Sequence, residues 1–116
     1  MTDYEAPLWE QITECRRMLD TALRECKERG GRMVKAKAAY YSAKSEKAFE
    51  LYGQGLPVTL IQETIRGDAE VNRAMREYNA AEVEYENAKE ARQVWKKHLD
   101  TLREQYSREW AAAKEE

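Results

Sequence analysis

The feature that most constrains this chain is where it places its helix breakers. Of five glycines and two prolines, Pro7 stands near the start, Gly30 and Gly31 sit together, and the rest fall between Gly53 and Gly67. No glycine or proline follows Gly67. Each of these residues costs a helix interior about 1 kcal/mol (Gly) or about 3 kcal/mol (Pro) relative to alanine, so their confinement predicts two long helices joined by a short, punctuated connection.

The apolar pattern agrees. Leu8, Ile12, Cys15, Leu19, Ala22 and Cys26 step by four and three, the spacing of a coiled-coil seam. Past Gly30-Gly31 the seam resumes less regularly with Met33, Ala36, Tyr40, Ala43, Ala48 and Leu51, which predicts a continuous but weakened helix over 7–52 with a kink or phase slip at the pair. A second helix over 69–113 carries a broad stripe: Val71, Met75, Tyr78, Tyr85, Ala88, Trp95, Leu99, Leu102, Tyr106 and Trp110. Trp9 and Trp110 are expected to meet at the open end of the hairpin. At about 1.5 Å per residue, helices of this size run on the order of 65 to 70 Å.

Between them lies "GLPVTLIQETIRGD", a tip over 53–68. Gly53 and Gly55 are expected to end the first helix in left-handed conformations, with Pro57 preventing its continuation. Thr59 and Gln62 read as a capping box, placing a short helix over roughly Leu60 to Arg66. Gly67 closes it, and Asp68 caps the next helix.

Charge supports the antiparallel pairing. From Arg24 to Lys47 eight basic residues stand against three acidic ones, and from Glu77 to Glu90 five acidic residues stand against Lys89. Folding about residue 60 sets these segments side by side. The expectation is an all-α, single-domain antiparallel hairpin with a short helix at its tip. One seam is a thin core for such a chain, and the stripe of the second helix is wider than one partner can cover, so a homodimer packed as a four-helix bundle is the expected assembly.

Composition excludes several function classes. Net charge is -2 with a pI near 5.6, so bulk attraction to phosphate is not expected. No apolar run approaches a membrane span, and the start "MTDYEAPLWE" is acidic where a signal peptide is basic, which points to the cytosol. Cys15 and Cys26 are too far apart along one helix to bridge and are expected as buried, reduced thiols. His98 is the single histidine, and Trp95 rather than a carboxylate precedes it by three, so the Glu-x-x-His ligand pattern of di-metal bundles is missing. No phosphate loop, nucleophile elbow or Cys-x-x-Cys occurs. No catalytic residue, cofactor or metal is expected.

Three surfaces stand out as candidates. The tip residues Leu56, Val58, Leu60, Ile61 and Ile65 cap the long helices, and in the functional reading some face outward as a contact patch, there being too little surface beneath to bury all five. The acidic flank Glu82, Glu84, Glu86 and Glu90 reads either as a solvated face or as a charge mimic of nucleic acid. Arg29, Arg32, Lys35 and Lys37, near Tyr40 and Tyr41, form the best nucleic-acid signal, largely answered by the acidic segment alongside.

The long charged helix, then "GLPVTLIQETIRGDAEVNRAM", then a helix ending "LREQYSREW", resembles small helical-hairpin proteins of tailed phages and prophages, over roughly residues 33 to 110. Gly55, Pro57, Ile61, Gly67, Asp68 and Glu109-Trp110 are the most specific elements. Such proteins, often encoded near replication and recombination genes, have no assigned catalytic residues. The resemblance implies a bacterial host cell and a protein that binds and regulates or inhibits a partner handling nucleic acid, anti-CRISPR proteins included. A DNA-contacting accessory of recombination or replication is the alternative, and a self-assembling spacer the second.

Overall fold

The computed structural model describes residues 7–115. They form three helices, α1 (Leu8–Gly53), α2 (Val58–Arg66) and α3 (Ala69–Glu115), and no strand. The fold is an all-α antiparallel helical hairpin, as the distribution of helix breakers predicts. It comprises two compact units, one pairing α1 up to Lys27 with α3 from Asn87, the other spanning Glu28–Glu86.

In the first unit, Ile12, Cys15, Leu99 and Leu102 form the core, with Leu8, Leu19 and Trp95 packed against it. Ala22, Cys26 and Ala88 are also buried, so each seam position read from the first turns of α1 faces α3. Cys15 and Cys26 are free and buried. Burial pushes the Cys15 thiol up, against a smaller opposing pull from Arg103, and Cys15 Sγ donates to the Trp95 carbonyl at 3.6 Å. Trp9 and Trp110 both remain exposed, so neither is sealed in a seam.

In the second unit, Leu51, Ile61, Ile65 and Val71 make the core, flanked by Tyr40, Ala43, Ala48 and Leu56. Tyr40 stacks on Tyr78 with centroids 6.0 Å apart. Helix α1 runs unbroken through Gly30 and Gly31. Gly30 has a packing reason: a β-carbon there would stand 3.1 Å from Tyr85 Cε1, so the ring lies against bare backbone.

The connection from α1 to α2 is a Schellman turn. Gly55 takes the left-handed conformation (φ 83°), its N–H donates to the Tyr52 carbonyl at 3.0 Å, and the Leu56 N–H donates to the Leu51 carbonyl at 3.2 Å. Leu56 packs against the Leu51 cluster, supplying the apolar contact that such turns carry. Gly53, expected to be left-handed, is instead the last residue of α1.

The capping box also gives way to a different start. Pro57 is the N-cap of α2, with no side-chain cap, and Thr59 lies inside the helix. Proline supplies the extended entry geometry and accepts from the Leu60 and Ile61 N–H groups, so the helix begins earlier than a threonine cap would place it. Gly67 ends α2 with φ -94°, a value open to other residues. The Asn72 side chain donates to the Arg66 carbonyl at 3.0 Å, satisfying part of that helix end. Asp68 caps α3 as read from the sequence, its Oδ2 accepting from the Val71 N–H at 3.0 Å. That bond chiefly, then the Lys47 ammonium at 3.6 Å, holds the Asp68 carboxyl below the usual carboxylate range despite some desolvation.

An apolar groove beside the short helix

Helix α2 carries four of the five apolar tip residues, Val58, Leu60, Ile61 and Ile65, and Leu56 precedes it. Its Ile61 and Ile65 are 7% and 6% exposed and form the floor of the second unit's core together with Val71. Of the two readings given to the tip set, these two take the capping one and not the outward contact: at four-residue spacing they share the one face of α2 that packs on the long helices. Leu56 is half-buried. Val58 and Leu60 are the exposed members of the tip set.

Val58 borders a groove of about 920 Å³ that α1, α2 and α3 form together in the 28–86 unit. From α1 come Tyr41, Lys44, Ser45, Phe49 and Tyr52, from α2 Val58 and Arg66, and from α3 Asn72 and Met75. Phe49, the single phenylalanine, is 80% exposed and Tyr52 is 69% exposed. Large side chains held open to this degree on one side of one unit make a patch that a solitary exposed residue does not. The lining includes two cations, Lys44 and Arg66, and no carboxylate. Lys44 Nζ stands 5.8 Å from the Tyr40 ring centroid, and Arg66 pairs with Glu63 at 3.1 Å.

Tyr41, Phe49, Tyr52 and Met75 are the groove residues that sequence reasoning missed as a site. The signal was present in part. Tyr41, Phe49 and Tyr52 fall outside the seam toward α3, at steps of eight and three that keep them on one side of α1 once the first seam is subtracted.

The other candidates disperse. Glu84, exposed, lies 3.7 Å from the half-buried Arg29 across the two long helices, so the charge complementarity seen in sequence is realised there in a weak surface pair. Arg32 pairs with Glu28 one turn back. Lys35 and Lys37 are exposed. Glu82 lies beside Tyr78, whose phenol is pushed up in pKa by burial first and then by the Glu82 charge. Glu86 and Glu90 are exposed on the same helix, Glu90 within the first unit. Glu82, Glu86 and Glu90, four residues apart, follow one face of α3, and Glu84 projects from another, so the four do not form one cluster.

His98 is exposed and meets Trp95 edge-on, centroids 6.0 Å apart. Among the described residues no group of three or more His, Cys, Asp or Glu side chains could hold a metal ion, and no helix is long and apolar enough to cross a membrane. No protein-family profile, curated protein or solved structure matches the chain.

Proposed function

We propose that this chain is a non-enzymatic interaction protein whose working surface is the open groove beside α2. The observation that carries this reading is the exposure of Phe49, Tyr52 and Val58 around one apolar concavity. Aromatic side chains set around a pocket are the usual anchors of protein recognition. The resemblance to phage proteins, with the acidic residues Glu82, Glu84, Glu86 and Glu90, supports a partner that handles nucleic acid and a regulatory or inhibitory outcome of the anti-CRISPR kind. Direct DNA contact is the weaker reading, because Arg29 and Arg32 each already face a carboxylate.

The test is a tagged pull-down from nuclease-treated bacterial lysate with the unaltered chain, a Phe49→Glu, Tyr52→Ser variant, and a variant reversing the four glutamates. A single stoichiometric protein lost with the groove variant supports the reading. Equal retention by both refutes it, and retention unaffected by the four reversals removes charge mimicry. A homodimer is the second reading, supported by α3: Met75, Tyr106 and Trp110 of its stripe are left at or beyond one-third exposed. Sedimentation across a concentration series decides between monomer, closed dimer and the growing assembly of a spacer.

A further inference from the structure

The groove continues into a line along α1. Gly31, Ala38, Ser45 and Tyr52 repeat every seven residues, and Val34, Tyr41 and Ala48 repeat every seven between them. All but Ala48 of these side chains and positions are exposed, and Ala48 borders the groove itself. The larger Val34, Tyr41 and Tyr52, with the small Gly31, Ala38, Ser45 and Ala48 between them at this spacing, form the knobs and holes that accept another helix. Apart from Ala48, which the two share, this line is distinct from the seam that α1 uses against α3, where Met33, Ala36, Tyr40 and Ala43 are half-buried. Over the 21 residue steps from Gly31 to Tyr52 it extends about 32 Å, a helix-sized track.

Charge selects the occupant. Lys44 lines the groove and Lys37, seven residues earlier, borders the line on the same side of α1, whereas Arg66 at the groove from α2 is already paired with Glu63. The acidic residues of this stretch of α1, Glu46 and Glu50, project about 120° and 160° round the helix from the line through Val34 and Tyr52, Glu50 toward Lys47 at 3.8 Å. A second copy docking through the same line antiparallel would set Lys37 of each chain against Lys44 of the other, a like-charge contact made twice.

We propose that this groove and the α1 line leading into it dock one amphipathic α-helix of a partner protein, with carboxylates flanking its apolar face. The inference rests on the interaction-protein reading and names the chemistry of its partner.

The test uses the purified full chain and a fluorescein-labelled synthetic helical peptide of several heptads, leucine at the two seam positions and glutamate at the flanks, with a lysine-flanked twin. Anisotropy titrations should show the glutamate peptide binding at least about tenfold tighter than its twin, with the difference shrinking as salt rises. Phe49→Glu should weaken it about tenfold or more, and Lys44→Glu should invert the preference between the peptides. Ala38→Arg, which fills the line without touching a core residue, should block both. Circular dichroism melts identical to the unaltered chain keep these losses from being unfolding.

Equal affinity for the two peptides, no binding of either, or indifference to Phe49→Glu and Ala38→Arg overturns the proposal. So does a dimer in sedimentation that Ala38→Arg dissolves, which would give the line to a second copy, or labelled duplex DNA displaced by Lys44→Glu, which would give it to nucleic acid. If the peptides fail while the lysate partner is still lost with Phe49→Glu, this inference falls and the interaction reading stands.

Discussion

Gly30 and Gly31 are adjacent in one helix, yet their surroundings give them opposite responses to the same substitution. Gly31 faces open space, with nothing within 4 Å of where a β-carbon would stand, so Gly31→Ala gains the helix-propensity difference of about 1 kcal/mol with nothing to oppose it. Gly30→Ala gains the same term, but its methyl lands 3.1 Å from Tyr85 Cε1 and 3.5 Å from two further ring atoms. Carbon contacts settle near 3.5 to 4.0 Å, so the half-buried ring must move, and overpacking of this kind costs about 1 to 3 kcal/mol. The net for Gly30→Ala is zero or destabilising. For 116 residues the unfolding entropy is about 240 cal/mol/K, so 1 kcal/mol shifts the midpoint by about 4 °C. Thermal melts followed by circular dichroism should therefore show a rise of about 4 °C for Gly31→Ala and none for Gly30→Ala. Equal rises would mean that the Tyr85 ring is not seated on Gly30, and the close approach of the two helices there would be refuted.

Ile61→Ala and Ile65→Ala each remove a core side chain of the second unit and should destabilise by about 2 to 5 kcal/mol in urea titrations, whereas Phe49→Glu should stay within about 0.5 kcal/mol. Asp68→Ala should lower the melting midpoint by leaving the Val71 N–H without its cap. Because the folded Asp68 carboxyl lies below its unfolded value, its contribution is present above the unfolded pKa and is lost as pH falls through the folded one; melts taken downward from pH 6 should show this loss in the unaltered chain and less of it in Asp68→Ala. Cys15, buried and with its thiol pushed up, should react with a thiol reagent only at the rate at which the first unit opens, and a fast stoichiometric reaction in the folded protein would contradict that burial.

The helices were legible because their signals are local. A breaker ends a helix wherever it stands, and a four-three apolar step defines one face whatever packs on it, so α1, α3 and the seam from Leu8 to Cys26 follow from the chain alone. Asp68 could be read for the same reason: a cap bonds to its own next turn. The errors came where two local signals competed. Thr59 with Gln62 had the pattern of a capping box, but Pro57 had already fixed the entry geometry two residues earlier, and of two nearby glycines only Gly55 stood at the position a Schellman turn makes left-handed.

What tertiary structure alone decided is which apolar residues remain open. In sequence Ile61, Ile65, Val58 and Leu60 are equivalent, four apolar positions on one short helix. Burial separates them only when α2 lies against Leu51 and Val71, after which two are core and two are surface. Phe49 is the sharper case, since hydrophobicity by itself would place it inside. The inner seam of α1 is already filled by Leu51, Ala48 and Tyr40 on a face that Phe49 does not share, so a single pair of long helices has no second interior to offer it, and the ring is left at the edge of a groove.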